Sequence, residues 1–124
     1  MKTEIGIGLI GIGVIGGQVA KVLQEKAVEL SLQAEVPVKL RKIKVLPSDL
    51  EKPLAKQLPS VLFTTGDDEF FNDDSVSIVI ELIGGERPAY DYICRALKGG
   101  KHVVTANKEV IAKHGLELRA MAHE

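Results

Sequence analysis

The 124-residue chain is long enough for one domain with its own core, and 45% apolar residues are ordinary for a globular fold. Sixteen Lys and Arg against seventeen Asp and Glu give a formal net charge of −1, which excludes the basic excess that nucleic-acid and membrane-surface partners require. The single cysteine, Cys94, cannot form an intrachain disulfide and fits a reducing cytoplasm. The uncharged run at residues 5–20 does not predict an export signal or a membrane span, because Glu4 precedes it and glycines interrupt it.

Predicted strands and helices alternate along the chain. Apolar or alternating segments predict strands at residues 5–11, 38–46, 61–63, 76–83 and 102–105. Apolar residues every three or four positions predict a helix at residues 14–33. A second helix is expected from Pro88 to Gly99, and a third after Asn107, whose side chain can cap it, with a break near Gly115. Two connections separate these elements, a loop with one helical turn at residues 47–60 and an acidic, solvated segment with a short helix at residues 67–74.

Strands separated by helices of this length predict an α/β fold. The expected architecture is a Rossmann-like, doubly wound and mostly parallel sheet with helices on both faces. We expect residues 1–124 to form one such domain. Because the chain stops inside or just after a helix, we also expect it to be one part of a longer protein.

The glycine-rich start of the chain offers the dinucleotide pattern G-x-G-x-x-G in two registers, beginning at Gly6 or at Gly11. The motif binds a pyrophosphate only where a strand ends and a helix begins. The first register leaves only residues 1–5 for a strand before it and places three glycines where the buried strand should lie, whereas the second follows a full strand and precedes an amphipathic helix. The functional glycines are therefore Gly11, Gly13 and Gly16, and the N–H groups around Gly13, Val14 and Ile15 are expected to face the phosphates.

The end of the second strand normally carries an acid for the adenosine ribose or an arginine for a 2′-phosphate. Here Leu46 occupies that end, Asp49 lies slightly beyond it, and Glu35 has the usual spacing but precedes the strand. Several basic residues lie nearby: Arg41, Lys42, Lys44 and Lys52. The choice between NAD and NADP therefore stays open from sequence.

Two further segments follow the fourth and fifth predicted strands, at the edge where open parallel sheets bind ligands. Residues 81–85 include a pair of glycines, which lets backbone approach a flat ligand. Residues 100–108 bring Thr105, Asn107 and Lys108 to one strand end and helix start. A lysine there opposes the helix dipole, so Lys108 is expected to meet a ligand.

With these segments the chain resembles homoserine dehydrogenase over essentially all of its length. The resemblance rests on Gly-Leu-Ile-Gly-Ile-Gly-Val-Ile-Gly-Gly, Glu-Leu-Ile-Gly-Gly and Gly-Lys-His-Val-Val-Thr-Ala-Asn-Lys, with His114 and Gly115 after them. It implies reversible, NAD- or NADP-dependent oxidation of L-homoserine to L-aspartate 4-semialdehyde, a step in threonine, methionine and isoleucine synthesis. It also implies a homo-oligomeric full-length protein.

The resemblance assigns roles to particular residues. The family's glycine turn falls on Gly11, Gly13 and Gly16, with Val14 and Ile15 along the dinucleotide. Thr105 and Gly84 would line the nicotinamide side. Lys108 would lie near nicotinamide and substrate as a catalytic participant, while the general base and the homoserine-binding acids belong to a second domain that this chain lacks. Members that favour NADP often carry a basic residue where this chain has Leu46. This departure weakens an NADP assignment but does not establish NAD.

Several alternatives stay open at this point. Another dehydrogenase, of the aspartate or semialdehyde type, would use the same scaffold with different residues around 105–108. A non-catalytic nucleotide-sensing module would bind coenzyme without turnover and would give Lys108 no role. Glu81 is equally compatible with a functional role and with simple hydrogen bonding to backbone. The three histidines and Cys94 show no metal-ligand spacing, so no metal is expected.

Overall fold

The computed structural model describes residues 4–123 of the chain. The described residues form a five-stranded parallel sheet in the order β3-β2-β1-β4-β5. The strands are β1 (Ile5–Ile10), β2 (Val38–Lys44), β3 (Phe63–Thr64), β4 (Ile78–Glu81) and β5 (His102–Thr105). The helices are α1 (Val14–Glu25), α2 (Ala27–Ala34), α3 (Pro53–Lys56), α4 (Asp67–Phe71), α5 (Ala89–Lys98) and α6 (Lys108–Ala122). This arrangement confirms the predicted α/β, doubly wound sheet.

The central strand β1 is apolar throughout because helices cover both of its faces. Ile7 and Leu9 belong to the buried cluster that includes Ala20 of α1 and the apolar residues of β2. Ile10 belongs to the cluster on the opposite face, with Phe70 of α4 and Ala96 of α5. Burial of the strand on both faces explains why it reads as a continuous apolar run rather than as an alternating one.

The predicted helix at residues 14–33 is two helices in the structure, so this prediction was wrong. The backbone leaves helical geometry at Lys26 (φ −104°, ψ 12°), between α1 and α2. In α2, the Ser31 hydroxyl donates to Ala27 O at 2.7 Å and accepts the N–H of Val38 at 2.8 Å. This contact ties α2 to the start of β2.

The break predicted near Gly115 is also absent, because α6 continues through that residue to Ala122. Val110 and Leu118 lie on either side of Gly115 and are both buried against α5. A helical glycine costs about 1 kcal/mol, whereas burying one large apolar side chain contributes about 1.5–3 kcal/mol. Packing on α5 therefore outweighs the local preference of Gly115.

Strand ends differ modestly from the predictions. β2 ends at Lys44 rather than at residue 46, and residues 47–51 form a short 3-10 helix. A second 3-10 helix at residues 60–62 displaces β3 to Phe63–Thr64. The consequence for function is that Lys44, and not Leu46, is the last residue of the second strand.

Candidate functional site

The turn between β1 and α1 is built from the three predicted glycines. Gly11 has φ +103°, a left-handed conformation that favours glycine, and its N–H donates to Lys44 O at 3.0 Å. A Cβ on Gly16 would lie only 2.5 Å from Gly11 O, so the close packing of α1 on the end of β1 requires a glycine there. Both residues are thus needed by the fold itself.

Gly13 differs from its neighbours in the turn. Its backbone angles suit any residue, and a Cβ placed on it would meet no heavy atom of the described residues within 4 Å. Protein packing therefore gives no reason for a glycine at this position. The open space beside it is what the backbone approach of a pyrophosphate requires.

The other possible register is occupied by packing glycines. Gly6 and Gly8 lie inside β1, where added Cβ atoms would lie 1.7 Å from Ser75 O and 2.8 Å from Phe70 Cζ. These two residues allow neighbouring segments to pack directly on the strand. The structure therefore places only the register that begins at Gly11 at the junction of strand and helix.

The first turn of α1 presents backbone donors to this space. The helix begins at Val14 with Gly13 as N-cap, without a side-chain cap and without an acidic residue in its first turn. The first N–H groups of a helix have no partner within the helix and favour an anion. Ile15 is exposed beside the turn, whereas the side chain of Val14 lies outside the part of the chain that the structure describes.

Two cavities meet at the carboxyl edge of the sheet. The first, of about 430 Å³, lies between the glycine turn and the segment that follows β2. The second, of about 450 Å³, lies between the loop after β4 and the start of α6. Residues 82–84 line both cavities, and a Cβ on Gly84 would meet no described heavy atom within 4 Å. An extended ligand could therefore run from the end of β2, across the glycine turn, to the start of α6.

Asp49 is the acidic group at the β2 end of the first cavity. Its carboxylate accepts the N–H of Leu46 at 2.9 Å and pairs with Lys52 Nζ at 2.8 Å. Burial opposes ionisation, but the hydrogen bonds from Lys52 and Leu46 outweigh it and hold the pKa of Asp49 below its ordinary value. Asp49 is therefore an ionised acceptor within reach of a ligand in this cavity.

Lys44 brings a buried cation to the same cavity. Its side chain is 7% exposed, its Nζ lies 3.1 Å from Asp67 Oδ1, and the same Nζ lies 5.7 Å from the centre of the Tyr92 ring.

Glu35 lies away from this cavity, because it caps the end of α2 and lines a separate groove beside the start of β2. Of the two acids considered at the end of the second strand, only Asp49 is near the glycine turn.

Buried Glu81 and half-buried Thr105 form a polar pair beside the second cavity. The Glu81 carboxylate accepts the N–H of Ile83 at 2.8 Å and the Thr105 hydroxyl at 2.5 Å. The Thr105 oxygen in turn accepts the N–H of Asn107 at 3.0 Å. Thr105 thus lies near the predicted nicotinamide side, but its hydroxyl is bonded to protein groups.

Asn107 caps α6, as predicted, because its Oδ1 accepts the N–H of Val110 at 3.1 Å. Lys108 is the first residue of α6 and lines the second cavity. Within residues 4–123, no hydrogen bond or ion pair reaches the Lys108 ammonium. The cation therefore lies exposed at a helix start, where the helix dipole opposes it.

Sequence reasoning missed a cluster around Glu86, in the loop that leaves the second cavity. Glu86 accepts hydrogen bonds from His114 Nε2 at 2.8 Å and Lys113 Nζ at 2.9 Å, and the His114 ring stacks on Tyr90. These two hydrogen bonds, led by that from His114, lower the pKa of Glu86 to about 2. A helix break near Gly115 would have made Lys113 and His114 charges at a helix end, but α6 continues past them and places them beside the loop.

Metal and membrane features are absent from the described part of the chain. Residues 4–123 contain no group of three or more His, Cys, Asp and Glu that could hold a metal ion. None of the helices described here has the length and apolar character needed to cross a membrane. Cys94 is buried in α5.

Comparison with known proteins identifies the family. Residues 11–124 match the family model for the NAD-binding domain of homoserine dehydrogenase. A homoserine dehydrogenase of Bacillus subtilis is 42% identical over 120 residues, which cover 97% of this chain and 27% of that protein. The crystal structure of a homoserine dehydrogenase from Thiobacillus denitrificans is 38% identical with a TM-score of 0.84, over 97% of this chain and 27% of that one.

A more distant solved structure shares the fold. It is a hyperthermophilic archaeal homoserine dehydrogenase in complex with NADPH, 21% identical with a TM-score of 0.71, covering 97% of this chain and 41% of that one. The chain spans about a quarter of the length of the curated relatives it matches. Family model, relatives and structural neighbours agree, and the chain belongs to the homoserine dehydrogenase family, in which it corresponds to the NAD-binding domain.

Proposed function

We propose that this chain is the coenzyme-binding domain of a protein that reversibly oxidises L-homoserine to L-aspartate 4-semialdehyde with NAD or NADP. Family membership supports the reaction. The observation that carries the assignment is the pair of cavities that share residues 82–84 and end at Lys108. A dinucleotide is an elongated ligand with a phosphate centre, and the glycine turn lies midway along this path.

The residues present fit the coenzyme. The space beside Gly13 would be filled by any side chain, so it suits the pyrophosphate, and the uncapped start of α1 supplies backbone donors to it. Asp49 would accept a hydrogen bond from the adenosine ribose, while Lys44 and Lys52 bring positive charge to the same end. Gly84 would leave room for the nicotinamide ring beside the second cavity.

When bound, the coenzyme would supply the hydride acceptor for the alcohol carbon of the substrate. The chain's own residues would position the coenzyme and polarise the substrate. Lys108 lines the cavity where coenzyme and substrate would meet, and it would take part in moving the hydroxyl proton. We assign Lys108 to a proton relay and not to the role of sole base, because the general base is expected in a second domain.

The rest of the full-length protein would supply the remaining parts. We assign residues 1–124 to one coenzyme-binding domain, and the general base and the groups that hold homoserine to a second domain. The full-length protein would act as a homo-oligomer in the cytoplasm, with homoserine and aspartate semialdehyde as its small-molecule partners. The net charge of −1 argues against nucleic-acid and membrane-surface partners.

The test uses the full-length protein with L-homoserine and, separately, NAD or NADP, while the absorbance of the reduced nicotinamide is followed. Lys108→Ala should lower kcat/KM for homoserine by roughly 100-fold, the usual contribution of a proton-transfer residue. Lys98→Ala, which removes an exposed lysine at the end of α5, is the matched control. Coenzyme binding without any oxidation of homoserine would refute the proposal and favour a nucleotide-sensing module or another dehydrogenase.

A further inference from the structure

Glu81 is a buried carboxylate that the proposed chemistry does not use. It is the last residue of β4, is 1% exposed, and lines the second cavity. Removing a carboxylate from water is costly unless hydrogen bonds compensate for the lost hydration. An apolar residue at this strand end would avoid that cost but would leave the N–H of Ile83 and the hydroxyl of Thr105 without this acceptor.

The hydrogen bonds of Glu81 join two separate segments of the chain. One carboxylate oxygen accepts the N–H of Ile83 and the other accepts the hydroxyl of Thr105. The Thr105 oxygen accepts the N–H of Asn107, the residue immediately before Lys108. Glu81 thus connects the loop after β4 to the turn that begins α6.

Asn107 closes the connection from the other side. Its Nδ2 donates to Ile83 O at 3.2 Å and to Gly85 O at 2.7 Å, while its Oδ1 caps α6. The loop at residues 83–85 is therefore held at the N–H of Ile83 by Glu81 and at two carbonyls by Asn107. This loop and the start of α6 form opposite walls of the second cavity, so the hydrogen bonds set the distance between them.

We propose that Glu81 is a positioning residue that, through Thr105 and Asn107, sets the width of the cavity between Gly84 and Lys108 for the nicotinamide end of the coenzyme. The inference rests on the proposed function, because it assumes that a dinucleotide occupies both cavities. The Thr105 hydroxyl belongs to the connection between Glu81 and Asn107, so Thr105 contributes to coenzyme binding only indirectly. The phosphates and the adenosine, bound at the other cavity, do not depend on Glu81.

That difference provides the test. The full-length protein is titrated calorimetrically with NAD and with ADP-ribose, which has the same adenosine and phosphates but lacks the nicotinamide ring. If the protein binds NADP instead, 2′-phospho-ADP-ribose is the matched fragment. Glu81→Ala should weaken NAD binding about tenfold, as loss of one hydrogen bond predicts, and should change ADP-ribose binding less than twofold.

Two further variants separate positioning from charge and guard against misfolding. Thr105→Val keeps the shape of the side chain but removes the hydroxyl between Glu81 and Asn107, so it should weaken NAD binding about tenfold as well. In Glu81→Gln the amide can still accept the N–H of Ile83 and donate to the Thr105 oxygen, so the affinity for NAD should fall only about threefold. Ser77→Ala is the control, since it removes a buried hydroxyl bonded to Gly6 O at the opposite end of β4.

The outcomes distinguish this inference from the proposed function. If wild-type protein binds neither NAD nor ADP-ribose, nor their phosphorylated forms, the proposed function itself fails. If it binds them and Glu81→Ala weakens both equally, Glu81 only supports the fold, and the inference is overturned. The inference is also overturned if NAD binding is unchanged, or if Glu81→Gln loses as much as Glu81→Ala, because negative charge would then matter rather than position.

Discussion

Replacing Gly13 or Gly16 of the same turn by alanine should impair different properties: coenzyme binding at Gly13 and stability at Gly16. At Gly13 the added methyl group meets open space, and the backbone angles are allowed for alanine. Alanine is a poorer N-cap than glycine by about 0.5–1 kcal/mol, but it also restricts the unfolded chain by about 0.4–1 kcal/mol. The free energy of unfolding should therefore change by less than about 0.5 kcal/mol.

At Gly16 the same methyl group would lie 2.5 Å from Gly11 O and 3.0 Å from Gly11 C. These are backbone atoms that cannot move aside without displacing the end of β1. Such overpacking costs about 1–3 kcal/mol, and the better helix propensity of alanine returns about 1 kcal/mol. Gly16→Ala should therefore destabilise the chain by up to about 2 kcal/mol.

Gly13→Ala should weaken coenzyme binding strongly although it hardly changes stability. The methyl group of Gly13→Ala occupies the space assigned to the pyrophosphate and should remove at least one charge-assisted hydrogen bond, worth about 1.5–3 kcal/mol. Affinity should therefore fall roughly 10- to 100-fold although the fold is intact.

Urea unfolding of the 124-residue chain gives the stability of each variant, and calorimetric titration of the full-length protein with ADP-ribose gives the affinity. Wild-type affinity in Gly13→Ala would refute the placement of the pyrophosphate. A loss of stability above about 2 kcal/mol in Gly13→Ala would contradict the open space beside it, since that space is what predicts a small change.

Two further predictions concern features that the tertiary structure revealed. Because His114 and Lys113 hold the pKa of Glu86 at about 2, against 4.5 when unfolded, the stabilisation from ionised Glu86 is complete above about pH 4.5 and is lost as the pH falls toward 2. The stability difference between wild type and Glu86→Gln in urea unfolding should shrink over that range, and a difference independent of pH would contradict the pairing. Gly115→Ala should raise the free energy of unfolding by about 1 kcal/mol, since its Cβ would lie 3.7 Å from Ile111 Cγ2, an ordinary contact inside a continuous helix. A lower melting temperature for that variant would show that the helix needs the glycine.

The sequence by itself determined the alternation of strands and helices along the chain and the register of the glycine turn. A central parallel strand must be apolar on both faces, so residues 5–10 were recognisable without any knowledge of their neighbours. Asn107 was recognisable as a helix cap because capping involves the next three residues only. Gly11, Gly13 and Gly16 were assigned because the turn needs a strand before it and a helix after it. Each of these features depends on a few consecutive residues.

The tertiary structure decided what depends on residues far apart in the chain. Thr105 and Glu81 are 24 residues apart, and His114 and Glu86 are 28 apart, so no local pattern marks either pair. The continuity of α6 through Gly115 follows from packing on α5, which outweighs the local cost of a helical glycine. The sequence thus located the coenzyme turn, where the chain's own backbone forms the site, whereas the walls of the second cavity are set by hydrogen bonds that exist only once the strands lie side by side.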